Sequence, residues 1–275
     1  MSTNQAAKAQ RLRELHAAPG VFVIPNPWDA VSARLLEARG FTALATSSAA
    51  AAALLGKADN RITRDEALAH ARLIAEAVEI PVSADLENGF GTAPAIVAET
   101  IRLAAEAGLA GGSIEDFTGD PSAPLFEIGF AAERVAAAVA AARSLGFPFV
   151  VTARAENLLH DGHDSIDEAI RRLQAYEAAG ADVLFAPGLR KIDDIRRVCA
   201  AVGKPVNVMA SIAGMGLGLR ELEAAGVKRV SLAASLYRAA LSGVDAAARE
   251  ILESGTFGYC DRILKGSDVK PWLRE

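Results

Sequence analysis

An alternation of short apolar runs with longer segments of helical period, repeated eight times, constrains this chain more than any other feature. Val21 to Asn26 reads as a buried strand. The segment from Asp29 to Arg39 then places its apolar residues at helical spacing and stops at Gly40, a residue suited to the left-handed turn that ends a helix. Strand-like runs recur at Ala43 to Ser48, Val82 to Glu87 and Gly111 to Asp116, followed by helices from about Thr63, Ala93 and Ala131. In the second half the runs are Phe149 to Glu156, Val183 to Gly188, Pro205 to Ala210 and Arg229 to Ser235, each followed by an Ala-, Leu- and Arg-rich helical segment. Strands that are apolar throughout and separated by helices belong to a parallel sheet covered on both faces. Eight such units in about 250 residues is the size of a single (β/α)8 barrel of the TIM type, an α/β fold. An open doubly wound sheet is the alternative, and it calls for a glycine-rich phosphate turn after the first strand. Asn26-Pro27-Trp28-Asp29 is no such turn. Gly214 to Gly218 lacks the spacing and the acidic partner of a dinucleotide site and reads as a loop after the seventh strand.

Residues 1–255 are assigned to the barrel and 256–275 to a C-terminal tail. With 275 residues, 51% of them apolar, the chain can bury a core of barrel size. The tail holds Phe257, Tyr259, Ile263, Leu264 and Trp272, so it packs either on its own barrel or on a neighbouring subunit. A net charge of −5 without any Lys/Arg block leaves no electrostatic footprint for nucleic acid or an anionic membrane. Met1 to Arg13 is polar, and no stretch reaches the roughly 18 apolar residues that span a bilayer, so a cytoplasmic protein is expected. Cys199 and Cys260 lie far apart, which argues against a disulfide or a Cys-based metal site; both read as small buried apolar residues.

The active site of such a barrel lies at the C-terminal ends of its strands, so their last residues form one ring. Here the ring comprises Asn26 and Asp29; Thr46, Ser47 and Ser48; Asp85, Glu87 and Asn88; Glu115 and Asp116; Arg154, Glu156 and Asn157; and Asn207. Asp85 and Glu87 alternate with Leu86, which directs both to one side of the third strand, where Glu115 joins them from the fourth. Carboxylates without nearby His or Cys suit a hard cation such as Mg²⁺ or Mn²⁺ rather than zinc. A salt-bridge cluster around Arg154 without metal is the alternative. Arg154 and Glu156 stand two apart on the fifth strand, and a guanidinium there is built for a substrate carboxylate or phosphonate. Pairing with Glu115 or Glu156 is its plainer role, and the two are compatible. His160 and His163, on the loop beyond, are either a proton donor or solvated. Trp28 and Phe90 either wall the pocket or pack in the core.

The segments SADLENGFG, SIED, TARAEN, ALATSS followed by LLGKAD, and EAAGADVLFAPG are spread over most of the chain. Together they resemble the isocitrate lyase and phosphoenolpyruvate mutase superfamily, most nearly its small bacterial phosphonomutase-like members. The resemblance implies a Mg²⁺-dependent barrel that binds a 2-oxo acid and makes or breaks a C–C or C–P bond beside its enolate. Carried over by position, Asp85, Glu87 and Glu115 fall on the metal-site acids, with Glu87 where many members have Asp. Asp59 matches an acid of the metal's water shell, and Arg154 matches the substrate-binding Arg. Ser47 and Ser48 match a Ser-Gly pair whose backbone amides hold the substrate carboxylate. The candidate catalytic residues are therefore Asp59, Arg154, Glu156 and His160; the candidate substrate contacts are Trp28, Ser47, Ser48, Asp85, Arg154 and Asn207. Members commonly exchange their last helix between subunits, which implies a homodimer or homotetramer.

A divalent ion chelated by a 2-oxo acid stabilises charge developing on the enolate oxygen, and decarboxylation needs little more. A lyase of the aldol or Claisen type also needs a proton donor or acceptor. The superfamily's isocitrate and methylisocitrate lyases carry Lys-Lys/Arg-Cys-Gly-His in a lid after the fourth strand. Here Phe117 to Phe126 contains no Cys, His or Lys. That disfavours isocitrate-type cleavage, and the missing Lys weakens phosphonate chemistry as well. The expected function is a Mg²⁺-dependent lyase or decarboxylase acting on a small 2-oxo carboxylate, a dicarboxylate by preference. Phosphonomutase chemistry and non-catalytic 2-oxo-acid binding are the alternatives.

Overall fold

All eight strands of the alternation pair in parallel in the computed structural model, which describes residues 3–273. They are β1 (Phe22–Ile24), β2 (Leu44–Ala45), β3 (Val82–Asp85), β4 (Gly111–Glu115), β5 (Val150–Arg154), β6 (Val183–Phe185), β7 (Val206–Met209) and β8 (Arg229–Ser231). Their order is β1-β8-β7-β6-β5-β4-β3-β2, with Val23 opposite Val230 and Ser113 opposite Thr152. The seam between β1 and β2 is tied by the Ala45 amide to the Pro25 carbonyl at 3.0 Å and by Asn26 Nδ2 to the Thr46 carbonyl at 2.9 Å. The result is a nearly closed (β/α)8 barrel. Gly111 lets β4 approach β5: a Cβ there would stand 2.6 Å from the Val150 carbonyl oxygen.

The helices are α1 (Thr3–Ala17), α2 (Ala30–Ala38), α3 (Ser48–Leu54), α4 (Arg64–Ala77), α5 (Pro94–Glu106), α6 (Ile128–Arg143), α7 (Ile166–Ala178), α8 (Ile192–Ala201), α9 (Leu219–Ala224), α10 (Ser235–Arg249) and, in the tail, α11 (Gly266–Val269). Local chemistry sets several starts. Asp29 caps α2, taking the Ser32 amide at 2.7 Å while the Ser32 hydroxyl takes the Asp29 amide. Thr63 and Glu66 do the same for α4, and Pro94 occupies the first turn of α5, where no N–H is needed. The main core lies between strands and helices, from Leu44 and Ile74 through Ile101 and Leu173 to Val208. The sequence reading has no counterpart for α1. It covers the N-terminal end of the barrel, where Ala9 and Leu12 pack among Ala43, Ala110, Val150 and Val183 at the strand starts.

Beyond β8 the packing changes. No residue of α10 is buried, and Leu241, Val244, Leu252, Phe257, Ile263 and Leu264 expose apolar surface. The tail then returns to its own barrel, where Trp272 is buried and its carbonyl accepts Arg34 Nη1 at 2.9 Å. Cys199 is half-buried, and Cys260 is exposed, not buried as its residue type suggests, because it rides on the outward-facing tail. Among the described residues no helix is long and apolar enough to cross a membrane.

Candidate active site

At the C-terminal mouth of the barrel, β3 stops at Asp85, so Glu87 does not reach the mouth by strand alternation. The chain instead turns through left-handed backbone at Glu87 (φ 47°), Gly89 and Phe90. Asp85 organises the turn: its Oδ1 accepts the Glu87 amide at 3.3 Å and its Oδ2 the Ser48 amide at 3.2 Å. The Ser48 N–H is thus engaged by Asp85 rather than free. Glu156 likewise lies past the end of β5, in helical backbone, and its amide donates to Asp116 Oδ1 at 2.8 Å. Asp116 is fixed in turn by Arg172 at 2.9 Å and by the Tyr176 hydroxyl. Asp116 therefore holds the β5 loop in place, its charge matched by Arg172.

Arg154 sits at the centre of the charges. Its Nε and Nη2 engage Glu156, and Nη1 lies 3.1 Å from Glu115 and 3.5 Å from Asp85. Its plane faces Phe185, with 5.5 Å from Cζ to the ring centroid. Burial works against its charge, but Glu156, Glu115 and Asp85 together raise its pKa well above the ordinary value. One guanidinium does not neutralise this many carboxylates. Burial first, then the charges of Asp85 and Asp59, push Glu87 up to about 8 despite Arg154. Burial first of all raises Glu115 well above the carboxylate range; Arg154 pulls it down, and Glu156, Asp85 and Glu87 add to the rise. Glu87 Oε1 is buried without a hydrogen-bond partner. Such an orphaned carboxyl oxygen, among acids whose charge is costly to bury, is the arrangement a bound cation completes.

Residues 12–252 match the family described as phosphoenolpyruvate phosphomutase. The chain belongs to this family. A crystal structure from Burkholderia cenocepacia, of a chain assigned as a lyase/mutase, superposes with a TM-score of 0.95 at 54% identity, covering 98% of this chain and 97% of that one. The 2-methylisocitrate lyase of Bacillus subtilis is 31% identical over 224 residues, 78% of this chain and 70% of its own length. The oxaloacetate decarboxylase of Bradyrhizobium diazoefficiens is 30% identical over 207 residues, 73% of this chain and 70% of its own length. The phosphoenolpyruvate phosphomutase family and its isocitrate lyase relatives thus include carbon–carbon lyases acting on small carboxylates.

In this member of the family a cavity of about 220 Å³ at the mouth and interior of the barrel is lined by Ser47, Ser48, Asp59, Asp85, Arg154 and Asn207 together. Glu87 borders an adjoining, more open hollow with Asn60 and Phe117, while Glu115 and Glu156 are buried against Arg154. Trp28 and His160 do not line the cavity. Trp28 packs edge-on against Tyr237 of α10, centroids 6.0 Å apart, and its carbonyl meets His70. His160 stacks on Phe117 at 4.9 Å, its Nε2 is buried without a partner, and burial lowers its pKa. The lid, Phe117 to Phe126, is tied by a Phe117–Leu125 bridge and by the Thr118 amide to the Pro124 carbonyl at 2.8 Å. The ring of strand ends omits several lining residues: Ser83, Ser113 and Arg229 lie deeper in the barrel, and Ser231 ends β8. A polar residue at alternate positions of an otherwise apolar strand is the sequence signal for them.

Proposed function

We propose that the chain is a Mg²⁺-dependent carbon–carbon lyase or decarboxylase acting on a small 2-oxo dicarboxylate. The observation that carries this reading is the convergence of Asp85, Asp59, Arg154 and Asn207 on one cavity, with Glu87, Glu115 and Glu156 beside it, so that carboxylates around the site outnumber the guanidiniums of Arg154 and Arg229. The donors are all oxygens, which suits a hard cation. Among the described residues no three His, Cys, Asp or Glu side chains gather closely enough to hold an ion by themselves. Mg²⁺, which keeps several waters, would be held by Asp85, Glu87 and Glu115, with Asp59 toward its water shell; Mn²⁺ suits the same donors. When bound, the ion supplies positive charge at the oxo oxygen as the adjacent bond breaks.

The chain's own residues then have separable tasks. Arg154, locked by Glu156 and stacked on Phe185, presents a fixed guanidinium for the substrate carboxylate. Asn207 offers an amide whose orientation is set from two sides, since Nδ2 donates to Ser231 Oγ at 2.9 Å and Oδ1 accepts Arg229 Nε at 2.9 Å. The lid brings no Cys, His or Lys, so loss of CO₂, which needs no lid proton donor at the bond-breaking step, suits the site better than isocitrate-type cleavage. The family's phosphomutase description favours the second reading, phosphonate chemistry, against which the lid lacks a Lys. The exposed apolar residues of α10 and the tail support a homodimer or homotetramer, which sedimentation would test.

The experiment is turnover. Purified protein with Mg²⁺ should convert oxaloacetate to pyruvate above the metal-only background and lose that activity with chelator. If oxaloacetate and a panel of 2-oxo and 2-hydroxy diacids stay unchanged while calorimetry shows saturable binding, the enzyme reading fails and a binding protein remains.

A further inference from the structure

Arg229 opens β8 and is only 5% exposed, yet it has no anion. Its Nε donates to Asn207 Oδ1 at 2.9 Å, its Nη2 to Thr152 Oγ1 at 3.1 Å and its Nη1 to His16 Nε2 at 3.3 Å. All three acceptors are uncharged. Burial and the charge of Arg229 keep His16 neutral, and with Nδ1 facing the Leu12 carbonyl at 2.8 Å as donor, Nε2 is left as the acceptor. No described carboxylate pairs with Arg229, and burial alone acts on it, pushing its pKa down to about 9. The other enclosed arginines are held differently, although Arg134 Nη1 is also without a partner. Arg154 has three carboxylates, Arg172 has Asp116 and Glu168, and Arg134 has the carbonyls of Asn88, Gly91 and Thr92.

A guanidinium has five N–H donors, so two of Arg229's remain after these three bonds. It lines the same cavity as Asp85 and Arg154, together with the small hydroxyl residues Ser83, Ser113 and Ser231. The interior of a (β/α)8 barrel is ordinarily filled by branched apolar side chains. Here it is polar and partly open, with a desolvated cation facing it, the condition under which an anion is bound most strongly. The depth also fits. Thr152, which holds Arg229 Nη2, and Arg154 are two residues apart on β5, roughly 6.6 Å along the strand. A four-carbon diacid bridges a gap of this order.

We propose that Arg229 is a specificity-determining residue that receives the distal carboxylate of the substrate, whose 2-oxo-acid end is held at Asp85 and Arg154. The inference rests on the 2-oxo-acid reading of the site and adds to it a reason for dicarboxylate selectivity. Pyruvate and oxaloacetate are the probes, titrated with Mg²⁺ and read as Kd, or as KM where the ligand is consumed. Wild-type protein should prefer oxaloacetate by about tenfold to a hundredfold, the worth of hydrogen bonds between charged groups. Arg229→Met should erase that preference, bringing oxaloacetate down to the affinity the same variant shows for pyruvate, and Arg229→Lys should restore part of it. Should Arg229→Met fail to fold, the 4-methyl ester of oxaloacetate puts the same question to wild-type protein: losing the distal charge should weaken binding to the pyruvate level. A preference that survives Arg229→Met or the ester overturns the proposal. If pyruvate binds and oxaloacetate binds no better, the proposal fails while the 2-oxo-acid site stands. Diacid binding that depends on Arg229 without turnover removes the lyase activity and leaves the proposal standing; if neither probe binds, both fall.

Discussion

Replacing His16 by Gln should remove a defined part of the fold's acid sensitivity. His16 is 8% exposed on α1 beneath the barrel, edge-on to Phe22 at 5.1 Å and 3.3 Å from Arg229. Burial first and the charge of Arg229 second lower its pKa from 6.5 to about 3. The folded protein therefore excludes a proton that the unfolded chain takes up below pH 6.5. Between pH 6.5 and about 3 the unfolded state binds more protons, so stability falls as pH falls, by about 1.4 kcal/mol per unit once well below 6.5. At pH 5 the loss relative to neutral pH is about 2 kcal/mol. Glu87 and Glu115 act with the opposite sign: their folded pKa values are raised, so they contribute stability at low pH that is lost as pH rises. Wild-type stability alone mixes these effects, but the difference between wild type and His16→Gln cancels them. Urea unfolding of both proteins from pH 5 to 8 gives that difference. His16→Gln should be less stable at pH 7.5, through lost packing on Phe22, and the gap should close by about 2 kcal/mol at pH 5. A gap that does not change with pH would refute the neutral, buried His16 and its contact with Arg229.

Three further outcomes are expected. Asp85→Ala should abolish Mg²⁺-dependent ligand binding while the circular dichroism of the barrel persists, since Asp85 bonds to loop and helix-start amides rather than to the core; unchanged binding places the ion elsewhere. Arg154→Ala should raise KM for a carboxylate substrate at least about tenfold. It should also destabilise the protein by about 3–5 kcal/mol, because Glu115 and Glu156 lose their buried counter-ion. A normal KM with lowered stability would make Arg154 structural. Gly111→Ala should cost about 1–3 kcal/mol in urea unfolding, because its Cβ would meet the Val150 carbonyl oxygen at 2.6 Å and force β4 from β5; wild-type stability would contradict that close approach.

The barrel was legible because its strands and helices each carry a period that survives without tertiary context. The parts that escaped the sequence depend on contacts across the fold. α1 docks a face of Gln5, Ala9, Leu12 and His16, two of them polar, so its burial leaves little apolar period; Gln5 is accommodated because Nε2 donates to the carbonyls of Ala105 and Leu109. Apolar runs also do not mark where a ladder stops. Glu87 and Glu156 lie beyond β3 and β5, and both stand beside Arg154's cluster through backbone turns fixed by Asp85 and Asp116, not through strand alternation. Arg229 was hidden for a different reason. The rule that active sites gather at strand C-termini directs attention to the last residues of each strand, whereas Arg229 is the first residue of β8. Its long side chain bonds its ladder partner Asn207 and reaches across the interior to Thr152, so it shares a cavity with residues that the ring contains. A charged residue at the start of an inward-facing apolar strand, with Ser231 two positions later on the same side, is thus as informative as one at the end, provided no acid in the same layer neutralises it.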